Sequence, residues 1–273
     1  MAKHIELDGS LGEGGGQVLR TALSLSLITG KAFRLRDIRT KRTKPGLARQ
    51  HLPAVGACAA IGDADVSGME IGSRSLAFVP RSVTAGNYRF DIGTAGATTL
   101  LLQTLVWPLA LQAKPSTLTL IGCTHAPGAP TFEYLSLCWA PIVRRLGIGM
   151  DLLMPKAGFY PKGAGELRVS LRGGAQPYGV RWGIPVLFDA FTGMSVQAGL
   201  AEEVADRQAA GARVVLEAER IYCPMNTATL SASSPGGAIA LVAGARQAPV
   251  CATALGAKGK SPEAAGREAA EAL

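Results

Sequence analysis

Aromatic side chains and long apolar runs are both scarce in this chain of 273 residues. Phe, Trp and Tyr make up 5% of it, and no stretch interleaves them with basic residues as a base-stacking surface would. The longest apolar run, residues 95–111, is interrupted by Thr, Gln and Pro and is too short to span a bilayer. The opening residues, MAKHIELDGS, hold no apolar segment of a signal peptide. We therefore expect a cytoplasmic protein without membrane contact.

Several catalytic and metal-binding patterns are also missing. The five cysteines are odd in number and form no CxxC pair, which argues against a disulfide framework or a zinc knuckle and favours buried thiols. No GxSxG nucleophile elbow is present. The three histidines, His4, His51 and His125, are scattered without a neighbouring carboxylate. We expect surface histidines rather than a zinc site or a catalytic triad.

Apolar residues make up 48% of the chain, which excludes intrinsic disorder, and positive charge is concentrated near its start. The net charge is +8; residues 1–60 hold ten Lys/Arg against four Asp/Glu, whereas residues 201–273 hold seven against eight. This asymmetry predicts a polyanionic partner such as nucleic acid or a nucleotide phosphate. A charge excess that only keeps the protein soluble is the alternative, and charge alone does not separate the two.

A pattern of strand, Gly-rich turn, apolar helix, strand and helix occurs twice, roughly 80 residues apart, which is typical of an internal repeat. The first copy is predicted at His4–Leu7, Gly9–Gly16, Gln17–Thr29, Phe33–Ile38 and Pro45–Ile61. The second copy is predicted at Tyr88–Ile92, Gly93–Gly96, Ala97–Leu111, Leu118–Ile121 and Phe132–Leu146. A third copy begins near Gly158 and continues with the strand Glu166–Leu171.

This repetition predicts an α/β fold in which repeated strand–helix units form a large domain with a smaller α/β domain inserted. The character changes after Gly174, so residues 176–255, with the helix Ala201–Glu217, are assigned to the insert. Ser261, followed by Pro and Glu, predicts the start of a helix that returns to the large domain. Residues 1–175 and 256–273 therefore form the large domain, whose third repeat is expected to be incomplete at the C-terminus.

The Gly-rich turn Gly12–Gln17 leads directly into a predicted helix. Backbone amides at such a helix start hold phosphates and other anions, whereas a tight turn with close helix packing is the alternative. Neither a Gly-Lys-Ser/Thr continuation nor the dinucleotide-binding spacing is present at this turn. Glu13 within the turn is a candidate ligand for a hard divalent cation, or only a favourable charge near a helix start.

The stretch RLRDIRTKRTKPGLARQH, residues 34–51, holds seven Lys and Arg residues. Arg39 and Arg42 flank a turn before Pro45, where guanidinium groups can clamp phosphates bidentately. A solvated basic strand edge is the alternative. Gln103 stands within an otherwise apolar predicted helix; its amide either bonds to the backbone in the core or contacts a ligand.

Five segments in order resemble the RNA 3′-terminal phosphate cyclase family, and the resemblance covers about residues 3–172 and returns weakly at 237–273. They read LDGSLGEGGGQVLRTALSLS, IRTKRTKPGLARQHL, FDIGTAGATTLLLQTLVWPLAL, GCTHAPGAPTFEYL and GFYPKGAGELRV. Members of that family have three α/β repeats in a large domain and a smaller domain inserted in the third. The repeats and the insert predicted above agree with this arrangement.

The resemblance implies an ATP-dependent reaction on RNA that ends in a 3′-phosphate, with ATP and a divalent cation, Mg²⁺ or Mn²⁺, as cofactors. A histidine of the enzyme takes AMP from ATP, and AMP then passes to the RNA 3′-phosphate. The neighbouring 2′-hydroxyl attacks the phosphorus, which gives a 2′,3′-cyclic phosphate and releases AMP. Adenylylation supplies the leaving group that a bare phosphate lacks.

The resemblance also assigns roles to individual residues of this chain. Gln103 and Pro130 match nucleotide-binding positions. Glu13 matches the acidic position near the metal and the phosphates. Arg20, Arg39 and Arg42 match basic positions around the phosphate and the RNA end.

The chain also departs from the family pattern. Ala164 stands where a central glycine of the GFYPxGGG motif is usual, Ala157 where a basic residue is usual, and Ala126 where an Asn is usual. The family's nucleophilic His follows the helix that begins here at Ser261, and residues 1–273 hold no counterpart to it. We therefore expect an RNA 3′-phosphate cyclase or, alternatively, a catalytically inactive cyclase-like RNA-binding protein. An α/β enzyme that acts on an anionic small molecule is a third, weaker possibility; the oligomeric state is not predicted.

Overall fold

The computed structural model describes residues 4–12, 15–93, 96–180, 190–244 and 249–273. Helices combine with three four-stranded sheets, which confirms the predicted α/β class. The chain divides into two compact units. Unit 1 comprises residues 1–92, 100–120 and 169–176, and unit 2 comprises residues 93–99, 121–168 and 177–273.

The first predicted repeat is confirmed in its element order. It contains β1 (Ile5–Asp8), α1 (Gly16–Thr29), β2 (Phe33–Arg36), α2 (Leu52–Gly62), β3 (Asp65–Ser67) and β4 (Leu76–Val79). These strands form one sheet in the order β1-β2-β4-β3, with β1 and β2 parallel and β4 antiparallel to both β2 and β3. Alternate residues of β2 are buried, and the ring of Phe33 stacks on that of Phe78 with centroids 5.8 Å apart. Period-two burial of this kind places one face of the sheet in the core of unit 1.

The second repeat has the same order of elements. It contains β5 (Asn87–Asp91), α3 (Thr98–Ala110) and β6 (Ser116–Gly122), followed by α4 (Phe132–Tyr134), a π-helical turn (Leu135–Trp139) and α5 (Ala140–Arg145). Strands β7 (Met150–Lys156) and β8 (Gly165–Leu171) complete a second sheet in the order β5-β6-β8-β7. Strand β8 was predicted from the sequence, whereas β7 was not.

The predicted helix at Pro45–Ile61 is wrong in its first half. A 3₁₀ turn at Arg49–His51 precedes α2, and residues 45–48 form a loop. Gly46 has a φ of +82°, and a Cβ at this position would overlap the carbonyl group of Gly72. The loop therefore packs directly on the backbone of Gly72. The Ala-rich periodicity of residues 47–61 does not reveal this contact.

The third sheet lies in unit 2. It is formed by β9 (Phe191–Ala198), β10 (Met225–Thr229), β11 (Gly236–Ala243) and β12 (Val250–Leu255), in the order β10-β9-β11-β12. Helices α6 (Val204–Ala218) and α7 (Pro262–Ala272) pack against each other and against this sheet. The predicted N-cap is confirmed, since the Ser261 side chain accepts from the Ala264 amide at 3.2 Å. The division into residues 1–175, 176–255 and 256–273 stays a prediction.

Small residues set the distance between α6 and α7. A Cβ on Gly211 would overlap the backbone of Glu263, and one on Gly266 would overlap the carbonyl oxygen of Gln208. The core beneath is built from Ala212, Leu216 and Ala269, among others. The two helix backbones are therefore in direct contact, which only glycine at the crossing permits. In the described part of the chain, no helix has the length and hydropathy that crossing a membrane requires.

We expect Gly266→Ala to lower the free energy of unfolding by about 1–3 kcal/mol, because the new methyl group overlaps α6. Alanine is favoured over glycine within a helix by about 1 kcal/mol, so a net loss isolates the steric effect. Urea denaturation of the full chain measures it. The neighbouring exposed change Arg267→Ala is the control and should shift stability by no more than about 0.5 kcal/mol. A Gly266→Ala variant as stable as the wild type would contradict the close helix contact.

Candidate functional site

Among the described residues, no side chain caps the start of helix α1. Gly15 is the N-cap residue and offers no side chain, and the first turn holds no acidic residue. The first amides of a helix have no intrahelical acceptor and carry the positive end of the helix dipole. This end of α1 is therefore electrically suited to an anion, and the predicted anion site at the Gly-rich turn stays a prediction.

His51 lies directly against this helix start. Its side chain is 3% exposed, and a Cβ on Gly16 would overlap Nε2 of the imidazole and lie 3.1 Å from Nη1 of Arg20. Nδ1 of His51 accepts from the Ala48 amide at 3.0 Å. In the neutral ring the hydrogen is then on Nε2, and no described residue accepts from it. The absence of a side chain at position 16 thus leaves one directed N–H donor beside the helix start.

The charge state of His51 follows from its surroundings. Burial, with the nearby positive charges of Arg39 and Arg20, lowers the pKa of His51 to about 4. The imidazole is therefore neutral near pH 7 and donates from Nε2 without bringing a charge into the cluster. A bound anion would offset the effect of the two arginines.

The three predicted arginines lie around the same point of unit 1. Arg20 projects from α1, receives support from Gln17 Oε1 at 2.9 Å, and has its pKa lowered by burial. Arg39 has a φ of +54° and donates to the Gly46 carbonyl at 3.0 Å. Arg42 Nη2 would lie 3.7 Å from a Cβ on Gly15. The basic loop is thus folded back toward the α1 start instead of forming a solvated strand edge.

We call Gly15, Gly16, Arg20, Arg42 and His51 the α1 anion cluster. Its donors are guanidinium groups, an imidazole N–H and helix-start amides, a combination that binds phosphate. Its arginines were candidates from the sequence alone. His51 was expected on the surface, and this prediction is wrong. A sequence signal was available, because His51 ends the same basic stretch that holds Arg39 and Arg42.

The roles of all six predicted site residues stay predictions. Gln103 is half-buried in α3 and belongs to unit 1, and Pro130 is half-buried and belongs to unit 2. Glu13, the predicted metal ligand, lies outside the described residues. Within the described ranges, no group of three or more His, Cys, Asp or Glu side chains is arranged to hold a metal ion.

The loop that ends at Pro130 is built around a buried polar chain in unit 2. The Gly158 amide donates to Thr124 Oγ1 at 2.9 Å, and Thr124 Oγ1 lies 2.8 Å from His125 Nδ1. His125 Nε2 lies 2.8 Å from Glu133 Oε2. Each ring nitrogen of His125 therefore has one hydrogen-bond partner. We call Thr124, His125 and Glu133 the loop relay.

The loop relay corrects a second histidine prediction. His125 was expected on the surface without a carboxylate partner, but its side chain is fully buried and Glu133 is its partner. Its ring also stacks on Phe159, with centroids 4.4 Å apart and planes 17° from parallel. Although burial opposes it, the positive charge and hydrogen bond available from His125 keep the pKa of Glu133 below its usual value. The relay therefore fixes the loop to the turn that begins at Gly158.

One departure from the family pattern has a visible consequence in that turn. Ala164 has a φ of +55°, a region that glycine enters freely and alanine enters at a cost of about 1 kcal/mol.

The prediction of buried thiols is confirmed for Cys58, Cys123, Cys138 and Cys223, whereas Cys251 is half-buried. None of the five forms a disulfide, and burial raises the pKa of Cys251 to about 12.

Comparison with known proteins agrees with the family resemblance. The sequence model of the RNA 3′-terminal phosphate cyclase family matches residues 11–251. A protein of that name from Archaeoglobus fulgidus is 44% identical over 269 residues, covering 98% of this chain and 80% of its own length. The namesake from Methylococcus capsulatus is 42% identical over 277 residues, covering 98% and 77%. One from Ralstonia nicotianae is 51% identical over 163 residues, covering 60% and 47%.

Stability should depend on pH through His51. Because the pKa of His51 is about 4 in the folded protein and 6.5 when unperturbed, the unfolded chain takes up a proton first as pH falls. The free energy of unfolding should therefore fall between pH 6.5 and pH 4, by about 3 kcal/mol from this group. Urea denaturation across this range measures it.

The control is His51→Asn, whose amide oxygen can replace the Nδ1 acceptor but does not titrate. Its stability should fall less steeply over the same pH range than that of the wild type. Equal slopes for the two proteins would show that His51 is not held neutral by its surroundings.

Removing the imidazole from the loop relay should leave a buried carboxylate without its partner. His125→Leu is expected to lower the free energy of unfolding by about 3–5 kcal/mol at pH 7. In this variant the imidazole no longer opposes the effect of burial, which raises the pKa of Glu133, so the deficit relative to wild type should shrink as pH falls toward 4. The double variant His125→Leu/Glu133→Gln should be more stable than the single variant at pH 7. Chemical denaturation at pH 7, 5 and 4 tests this, and a deficit independent of pH would contradict the pairing.

Proposed function

Because the chain belongs to the RNA 3′-terminal phosphate cyclase family, we propose that it acts on RNA 3′-phosphate ends and converts them to 2′,3′-cyclic phosphates with ATP. In the proposed reaction the 3′-phosphate receives AMP from ATP, whose β- and γ-phosphates leave as pyrophosphate. The vicinal 2′-hydroxyl oxygen then attacks the phosphorus of the 3′-phosphate, and AMP leaves. The new P–O bond replaces the bond to AMP, and the hydroxyl proton is released. The family membership and the α1 anion cluster together support this proposal.

The single observation that carries it is the convergence of donors in the α1 anion cluster. A 3′-terminal phosphate carries more charge and more free oxygens than an internal phosphodiester. Arg20, Arg42 and the Nε2–H of His51 offer charge-assisted and neutral hydrogen bonds from different directions, beside the amides of α1. Such a set favours a terminal phosphate and orients its oxygens for attack by the neighbouring hydroxyl.

The cofactor roles belong to the proposal as well. We assign contact with the nucleotide to Gln103 and Pro130, and a divalent cation to Glu13. ATP supplies the AMP group that turns a phosphate oxygen into a leaving group, and the cation offsets negative charge on the phosphates. The chain's arginines hold the RNA end in place while this happens.

The proposal is tested by comparing RNA that ends in a 3′-phosphate with the same RNA that ends in a 3′-hydroxyl. We expect the wild type to bind the phosphorylated end more tightly, and Arg42→Ala to lose about tenfold or more of that preference. Arg34→Ala is the matched control, because Arg34 is an exposed arginine of the same basic stretch on strand β2. Fluorescence anisotropy measures binding. Equal affinity of the wild type for both ends would contradict the proposal.

Intact mass after incubation with ATP and Mg²⁺ separates the cyclase from the second candidate, a catalytically inactive cyclase-like RNA-binding protein. The strained Ala164, at a position where the family has glycine, is the observation that favours this candidate. An AMP adduct that 3′-phosphorylated RNA discharges, with a cyclic phosphate formed, supports the cyclase. Preference for the 3′-phosphate end without an adduct supports the binding protein.

A further inference from the structure

Unit 2 contains a cavity of about 650 Å³ that the predicted site residues do not line. Its walls come from His125 and the loop that follows it, the turn after Phe159, the starts of α6 and α7, the loop before β11 and the loop after β12. This volume is within the range of small-ligand sites in proteins. We call it the unit 2 cavity.

One buried polar group faces the unit 2 cavity without a partner. Gln208 on α6 is 1% exposed, and its Oε1 accepts from Ser195 Oγ at 2.9 Å. Its Nε2 donates to no described residue, although buried amide hydrogens are normally bonded. A Cβ on Gly237 would lie 2.5 Å from this nitrogen and would cover it. Glycine at position 237 therefore leaves the amide edge open to the cavity.

Proline and aromatic side chains form much of the remaining wall. Pro127, Pro161, Pro235 and Pro262 all line the cavity, together with Phe159 and the 53%-exposed ring of Tyr160. Flat proline and aromatic faces with a single amide edge suit a planar ring that carries hydrogen-bonding groups on its rim. A purely apolar ligand would leave the Gln208 amide without a hydrogen-bond partner. The free-energy cost of that unpaired group would weaken the binding of such a ligand.

Two lysines line the cavity, and they differ in whether the ammonium group already has a partner. Lys260 donates to the Leu255 carbonyl at 3.1 Å and forms an ion pair with Glu268. Lys258, also in the wall, is exposed and has no acidic partner among the described residues. An ammonium group at the mouth of a flat apolar cavity favours a ligand whose ring is attached to an anion.

We propose that the unit 2 cavity binds one nucleobase, whose edge bonds to Gln208 and whose attached phosphate lies near Lys258. Single-stranded RNA is recognised in this way, by unstacked bases held between flat side chains and read through their edges. The preferred source of this nucleobase is the bound RNA strand, and in this respect the inference rests on the proposed function. A free nucleotide has the same chemistry and is the other source.

The first experiment identifies the ligand chemistry without RNA. Nitrogen-15 NMR of the full chain follows the Gln208 side-chain amide, assigned by its loss in Gln208→Leu, during titration with the four nucleoside monophosphates. We expect this resonance to shift, and Lys258→Ala to weaken the apparent affinity severalfold. Lys31→Ala, an exposed lysine of unit 1, is the charge control and should leave the affinity unchanged. No shift with any nucleotide, together with a negative result below, overturns the proposal.

The second experiment identifies the source. A set of short RNAs, each with one abasic position, is compared for binding to the wild type and to Gln208→Leu. We expect one position whose missing base weakens binding to the wild type about tenfold and leaves binding to Gln208→Leu unchanged. The same ratio for both proteins at every position excludes an RNA base, and a nucleotide shift in the first experiment then identifies a free nucleotide.

Failure of this inference is distinguishable from failure of the proposed function. Preference for a 3′-phosphate end depends on the α1 anion cluster and is measured with Arg42→Ala, whereas base dependence is measured with Gln208→Leu. Thermal unfolding of Gln208→Leu verifies that it folds. If it does not, the affinities of the wild type and of Lys258→Ala for the four nucleotides, which need no assignment of the Gln208 amide, still decide the question.

Discussion

The imidazole of His51 reaches the start of helix α1 because residue 16 has no side chain. This contact sets the position of several other groups. The 3₁₀ turn Arg49–His51 must lie against α1, so the basic loop before it folds back over the helix start. Burial there, next to Arg39 and Arg20, keeps the imidazole neutral. The result is a cluster of hydrogen-bond donors beside a helix whose first turn holds no acidic residue.

In unit 2, a close backbone contact also places a buried histidine, but this histidine supports a loop. Close backbone contact at Gly158, together with the Thr124 hydroxyl, places His125 so that each of its ring nitrogens has one partner. An imidazole with a partner at each ring nitrogen is satisfied in a dry environment, where an unpaired polar group would be costly. This buried chain holds a loop that is otherwise rich in glycine and proline. Rigid support of this kind is what a loop needs if it is to position a ligand.

Much of the fold could be predicted from the sequence because its signals are local. Apolar periodicity and Gly-rich turns located α1, α3, β5 and β6 to within a few residues, and Ser261 identified the start of α7. The failures have physical causes. Residues 45–48 form a loop because Gly46 packs on the backbone near Gly72, about 25 residues away, and β7 was not separated from the turns around it.

By itself, the sequence determined the order of the elements, the location of positive charge and the family, because each depends on residue type and spacing along the chain. Only the tertiary structure decided which polar groups act together. His51 and His125 look alike in sequence, yet one faces two arginines and the other a carboxylate. Gln208 gave no sequence signal, and its open amide exists because Gly237, on another element, has no side chain. Such properties arise from contacts between distant residues, which burial and packing create and local pattern does not record.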